Sequence, residues 1–551
     1  MTFARLRAAY ATGVTPREVV EALDTSDDTV WTARADALAA ADDLPRRFPG
    51  EKPPLYGIPF SVKDNIDVAG LPTTAACPDF AYTPTVSAPL VERLESAGAI
   101  LVGKNNLDQF ATGLTGARSP YGTPTNPFDA RYIPGGSSSG SAVAVATGAV
   151  HFSIATDTAG SRGVPAALCG VVGLKPSRVL VSTIGVVPAC PSLDCPSVFA
   201  ATVDDATAVL DEFAGHEKAD PWSRHLTPHT AAPRRIGVPR DLDDPDFAAA
   251  VARLERAGAT PVPVDLAPFV AAGSLLYQAW VAERWTTLGD FVTAHPHSVH
   301  PVTREVLTKA TTYTAADAFA AMHRLQALRA ATAPVWDTVD ALMVPTVPRT
   351  YTLDEVAADP IGTNAHLGRY TQFANLLDLA GIAVPAGFTP GGLPYGVQFL
   401  APAGHDPALA ALATAFEERV DVLLAALGAP RTGQPLHPEL AACGAEPVGP
   451  MWTAKAYRLF ALPGGRPGLV RVAADGAAVE VELHRIPPAG LGALLAGIPA
   501  PLGLGSVELP DGRTVTGFLA EAYAVAGAPD ITAYGSWPAY LGAQVNFGSA
   551  R

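Results

Sequence analysis

Three short stretches hold side chains that could do chemistry together. The first is IPGGSSSGSAVAVATGAV (133–150), where Ser137, Ser138 and Ser139 stand in a row between glycines. A flexible linker would continue in polar residues, but this stretch runs straight into AVAVATGAV. A phosphate loop would end in Gly-Lys-Ser/Thr, which it lacks. A tight Gly/Ser turn that opens a helix fits, with the first N–H groups of the helix free to meet negative charge. The second stretch is TDTAGSRG (156–163), whose consecutive N–H groups around Gly160 offer an oxyanion nest. The third is IPFSVKDN (58–65), in which Lys63 follows an apolar, strand-like run. A lysine buried away from negative charge gives up its proton readily and becomes a base. A neutral Lys63 could take a proton from one serine, which takes it from another and so creates a nucleophile. Spacing leaves open which serine attacks. It also leaves open the plain alternative of two Gly/Ser turns with a surface lysine.

These residues need a frame. Short apolar runs such as GAILVGK, HFSIATDT and ALMVPT alternate with longer helical stretches, which predicts an α/β domain around a mixed or parallel sheet. The helix after Ser139 runs away from its turn and HFSIAT runs back, so Ser161 should return close to Ser137. Lys63, at another strand exit, belongs at the same sheet edge. Before this domain, residues 1–50 read as short helices. TPREVVEAL has a Thr cap and a first-turn Pro. A helical block spans 271–336 and a last α/β piece runs to 430. Residues 431–451, rich in Pro, Gly and Ala, read as a linker. Residues 452–551 alternate apolar and polar around Asp-Gly turns, which predicts a small domain rich in β-hairpins.

Bulk properties narrow the partners. The chain has 551 residues, 48% of them apolar and 17% charged, which argues for folded domains rather than disorder. A formal net charge of −15 disfavours nucleic acid and anionic membranes. Cys77, Cys169, Cys190, Cys195 and Cys443 form no C-x-x-C pair, and a reduced cytoplasmic setting is expected. MTFARLRAAYATG has no apolar core of a signal peptide. His295, His297 and His300 read as a solvated loop rather than a metal site. No metal or cofactor is expected. Asp108 and Gln109 read equally as pocket-lining residues or as a structural turn. In the tail domain His484 and Glu521 are possible site residues that read more readily as strand-surface positions.

GIPFSVKDNIDVAGLPTT, PLVERLESAGAILVGKNNLDQFATG, NPFDARYIPGGSSSGSAVAVATG and TDTAGSRGVPAALCGVVGLKPS, in that order, resemble the amidase signature family over nearly all of residues 1–430. The resemblance implies a central mixed sheet flanked by helices and hydrolysis of amides through a Ser–cisSer–Lys triad. It makes Lys63 the base, Ser137 the bridging cis-serine and Ser161 the nucleophile. It places the oxyanion hole at the N–H groups of Thr158, Ala159, Gly160 and Ser161. Within the family, NNLDQFATGLTGARSPYGTPTNPFD, YTQFANLLDLAGIAVPAGF and the tail segments GIPAPLGLGSVELPDGRTVTGFL and ITAYGSWPAYL resemble allophanate hydrolases. That implies allophanate as substrate, with ammonia and carbon dioxide or bicarbonate as products. It also implies a γ-glutamylcyclotransferase-like α+β tail domain, a homodimer, and a functional link to a biotin-dependent urea carboxylase. Tyr277, Arg284, Gly113 and Ser138 are then the residues that hold the substrate. Four departures bear on fit. Arg162-Gly163 stands where the family reads Gly-Arg, and Ile184 and Pro191 stand where it often has arginines. The Tyr277–Arg284 interval is one residue short, which on a continuous helix would rotate one side chain by about 100°. A general amidase, or a protein of this fold with impaired catalysis, is the alternative.

Overall fold

The apolar runs of the first 400 residues form the strands of one sheet. In chain order they are β1 Trp31–Arg34, β2 Pro59–Lys63, β3 Ile100–Asn105, β4 Phe152–Asp157, β5 Val172–Lys175, β6 Cys195–Ala200, β7 Arg235–Pro239, β8 Thr260–Val264, β9 Ala341–Pro345, β10 Leu379–Phe388 and β11 Pro394–Pro402. The spatial order is β1-β3-β2-β4-β6-β5-β10-β11-β9-β7-β8. Pairing is parallel for β3-β2-β4 and for β9-β7-β8, and antiparallel between and outside these groups. The sheet is therefore mixed. This computed structural model describes residues 1–417, 422–486 and 488–548. The chain divides into two units, Met1–Arg419 and Val420–Arg551.

Most strands of this sheet are buried along their whole length, as expected where helices cover both faces. Leu94, Val209, Leu254 and Leu409, from four helices, join Phe60, Ile154, Val198 and Ile382 of the strands in one core. Phe60 and Phe152 stack with ring centroids 5.1 Å apart and tie β2 to β4. Full burial of each ring contributes roughly 1.5–3 kcal/mol. Val62 lies opposite Ile154 in the parallel pairing of β2 with β4. Parallel neighbours end at one edge, so Lys63, last in β2, and Asp157, last in β4, emerge at the same edge of the sheet.

The small-residue run after the serines is explained by crowding. The Ser139–Ala146 helix is buried along most of its length. A Cβ on Gly140 would strike Val30 O and the Asn106 backbone. Bulkier residues could not be packed there. The N-terminal region folds as the helices Phe3–Ala11, Pro16–Glu21 and Ala37–Arg47, with Thr15 and Glu18 forming a capping box. It also contributes β1, an edge strand antiparallel to β3, where the sequence pattern predicts only helices.

The second unit contains β12 Val422–Ala426, β13 Glu446–Trp452, β14 Tyr457–Leu462, β15 Arg466–Arg471, β16 Glu480–Ile486, β17 Leu502–Glu508 and β18 Thr514–Ala520. Five of these form a sheet in the order β13-β16-β12-β18-β17, and β14 pairs with β15. The Asp511–Gly512 turn joins β17 to β18 as a hairpin. The supposed linker 431–451 is a correction. It carries the His437–Ala442 helix and most of β13, which pairs along β16. Its composition misleads because β13 is an edge strand, where Pro447 and Pro450 need not donate to a second neighbour.

Candidate active site

Lys63, Ser137 and Ser161 converge at the shared strand edge, all buried, with Ser161 3% exposed. Lys63 Nζ lies 2.7 Å from Ser137 Oγ. Ser137 Oγ lies 2.9 Å from Ser161 Oγ. Both hydroxyls can rotate to donate or accept, so the row can carry a proton in either direction. The Gly136–Ser137 peptide bond is cis. Lys63 Nζ also lies 3.0 Å from Thr156 Oγ1. Burial pushes the Lys63 amine down to about 7, against the opposing pull of Asp108, Asp157 and Asp194, with Arg284 adding to the depression. An amine near neutrality is poised to accept a proton at physiological pH.

Thr156 carries no motif of its own in the sequence. It lies on β4 one residue before the strand end, where only the fold brings it to Lys63. Its Oγ1 also accepts from Asn65 Nδ2 at 3.2 Å. Thr156→Val keeps the shape of the strand residue and removes this contact to the ammonium form. The expected result is an acid limb of the kcat/KM profile displaced to lower pH, with plateau kcat reduced about tenfold. An unshifted pH profile would show that Thr156 does not tune the amine.

The turn before Ser161 is held from three sides. Thr158 Oγ1 donates to Asp194 at 2.5 Å, and Asp194 also accepts from Ala189 and Cys190 N–H groups. Thr371 Oγ1 donates to Ala159 O at 2.8 Å. Asn375 Nδ2 donates to Asp157 O at 2.8 Å and to Leu193 O at 2.9 Å. Gly160 has φ +115°, and a Cβ there would collide with Thr371. Only glycine suits both demands. One expected oxyanion donor is corrected here. The Gly160 N–H donates to Asp157 Oδ1 at 2.6 Å and is already committed. Among the described residues, the Thr158, Ala159 and Ser161 N–H groups have no such partner.

Arg162 does not crowd the nucleophile. Its buried side chain runs into the sheet, where Nη1 donates to Gly173 O at 3.1 Å and Nε lies 3.6 Å from Asp157 Oδ2. A Cβ on Gly173 or Gly381 would strike this side chain, so two strand glycines make its channel. The altered order Arg162-Gly163 is accommodated behind the site.

The substrate-holding candidates lie on separate elements. Tyr277 ends a short 3₁₀ turn, Leu275–Tyr277, and Arg284 lies on the Val281–Ala294 helix. Gln278, at φ −103° and ψ −133°, breaks the run between them. The 100° rotation argument for a continuous helix therefore does not apply. Arg284 is 2% exposed and donates to Thr112 Oγ1 at 2.9 Å. Gly113 is buried against Asp108. Ser138 is also buried, its Oγ donating to Thr156 O at 3.3 Å.

Asp108 accepts from the Gly116 and Arg118 N–H groups, and its own N–H donates to Ser137 O at 2.9 Å. Gln109 is structural, bonded to Ser298 O and the His300 N–H. His295 and His297 are exposed and His300 is half-buried. In the second unit, His484 is a correction. It is fully buried rather than on a strand surface, with Nε2 3.1 Å from Glu482 Oε2. Its strand is covered on that face by the His437 segment, read from sequence as linker. Glu521 is exposed.

A mixed sheet with a buried lysine and two serines in file at its edge defines the amidase class of hydrolase. The chain belongs to the amidase family, whose model matches residues 17–410. The model of the allophanate hydrolase C-terminal domain matches residues 422–542. The chain is 39% identical over 571 residues to the urea amidolyase of Saccharomyces cerevisiae, covering 93% of this chain and 31% of that protein. It thus spans about a third of the length of the urea amidolyases it matches. Among solved structures, Kluyveromyces lactis allophanate hydrolase superposes with a TM-score of 0.71 at 36% identity, covering 97% of this chain and 98% of that chain. The peptide amidase of Stenotrophomonas maltophilia superposes with a TM-score of 0.65 at 30% identity, covering 76% of this chain and 96% of that chain.

Proposed function

We propose that this protein hydrolyses allophanate through an acyl-enzyme on Ser161. The observation that carries the reading is the unbroken file from Lys63 through Ser137 to Ser161, buried and ending at the oxyanion turn. Ser161 Oγ attacks the amide carbon and its proton passes to Ser137, whose own proton passes to Lys63. The Thr158, Ala159 and Ser161 N–H groups receive the negative oxygen. The relay then returns a proton to the leaving nitrogen, ammonia departs, and water repeats the sequence to free the acyl group. Arg284 and Tyr277 hold the substrate's carboxylate, a task suited to a buried guanidinium. Gly113 and Ser138 line the same pocket. No cofactor enters these steps.

The amidase unit releases the first ammonia, and the second unit assists decay of the remaining N-carboxycarbamate. Allophanate is supplied by a biotin-dependent urea carboxylase. The likeness to the longer urea amidolyases supports that link. The protein acts as a cytoplasmic homodimer, which light scattering on the purified protein tests. Among the described residues no helix is long and apolar enough to cross a membrane.

An ammonia assay with allophanate, urea, biuret and a simple aliphatic amide, run side by side, tests the substrate. Release from allophanate alone is expected. Cleavage of the simple amide with allophanate untouched would replace this reading with a general amidase.

A further inference from the structure

Two hydrogen bonds dictate where the Tyr277 proton can go. The Leu114 N–H donates to Asn364 Oδ1 over 2.8 Å. A backbone N–H can only donate, so the carboxamide oxygen faces Leu114 and the NH2 faces the other way. There Asn364 Nδ2 lies 3.2 Å from the Tyr277 hydroxyl. An amide NH2 also only donates, so the phenol oxygen must accept. Its proton is left for another partner, and among the described residues no acceptor takes it.

The loop that sets this polarity also sets the arginine. Thr112 Oγ1 accepts from Arg284 and passes its own proton to Phe110 O at 3.1 Å. Arg118 Nη1 pins Thr112 O at 3.0 Å. Leu114 O accepts from the N–H of Gly136, the residue before Ser137, at 2.9 Å. Residues 112–114 therefore connect the relay, the arginine and the tyrosine, with Asn364 as the link to the last. Asn364 is itself buried, so water does not compete for its amide.

We infer that Asn364 is a positioning residue whose locked carboxamide makes the Tyr277 hydroxyl an obligate donor toward the anionic end of the substrate. This rests on the reading that Tyr277 and Arg284 hold that end. A phenol free to turn would spend part of its time donating elsewhere. A hydrogen bond to a charged group is worth about tenfold or more in binding.

The test is steady-state kinetics on allophanate for the full chain, Asn364→Leu, Asn364→Asp, Tyr277→Phe and the Asn364→Leu/Tyr277→Phe double variant. Asn364→Leu should raise KM about tenfold and change kcat less than about threefold. Added to Tyr277→Phe it should raise KM no further, because both act on one proton. Asn364→Asp keeps an acceptor for Leu114 but draws the phenol proton to itself, so it should raise KM at least as much even if the leucine variant folds poorly. Unchanged KM in the Asn364 variants, or effects that add in full to Tyr277→Phe, would overturn the inference. If Tyr277→Phe itself leaves KM unchanged, the substrate-holding reading fails first and this inference with it.

Discussion

Ser161→Ala should lower turnover of allophanate by about ten-thousand-fold or more, to the background left by binding and the oxyanion turn. The fold should not notice the change. The Ser161 hydroxyl bonds to Ser137 and to no other described side chain, so its removal leaves no strand, cap or ion pair without a partner. Loss of activity with an unchanged unfolding midpoint is the expected pair of results. A fluorophosphonate probe should label the parent at Ser161, located by mass spectrometry, and leave Ser161→Ala unlabelled. Ser137→Ala should cost nearly as much and add little on the Ser161→Ala background, since residues in one relay fail as a unit. Retained turnover in Ser161→Ala, or label on another serine, sinks the assignment of the nucleophile.

How much of this was visible beforehand depends on where each residue's partners lie. Lys63, Ser137 and Ser161 sit at strand exits and in Gly/Ser turns. Alternation of apolar runs with helices is enough to place such points at one sheet edge. Gly160 was legible as part of a turn, but the diversion of its N–H to Asp157 was not, because it depends on the rotamer of a strand-end carboxylate. Thr156, Asp194, Asn364 and Thr371 carry no local signal. Each acts through a partner brought by tertiary structure, such as Asn364 reaching Leu114 across 250 residues of chain. Arg162 stands out in the sequence only as a departure from the family order, because sequence gives its neighbours along the chain and not its direction, which two glycines on other strands decide. The reading of 431–451 as linker failed for a related reason. Proline and glycine mark loops in isolation, yet an edge strand tolerates both when its single partner supplies the pairing.

The other large effect is double-edged. Lys63→Met should lower kcat by about a hundred- to ten-thousand-fold, the span of a lost general base. The same substitution should make the protein more stable toward acid. An ordinary lysine holds its proton up to 10.5, whereas burial brings Lys63 down to about 7. Below pH 7 folded and unfolded chains both hold the proton, and the folded chain bears the full burden of a buried cation. Between pH 7 and 10.5 the unfolded chain binds a proton that the folded chain has released. Stability of the parent therefore rises with pH across this window. Methionine has no proton to release, so its stability lacks that rise. The difference between variant and parent should shrink with increasing pH at a slope approaching 1.4 kcal/mol per pH unit. Above that window the loss of the Lys63 contacts to the Ser137 and Thr156 hydroxyls leaves the variant weaker by roughly 1–3 kcal/mol. Urea unfolding of both proteins from pH 6 to 10 measures the slope, and the parent's kcat/KM should climb through pH 7 over the same range. Parallel stability curves would mean that Lys63 keeps its proton when folded, and a protonated lysine could not drive the relay.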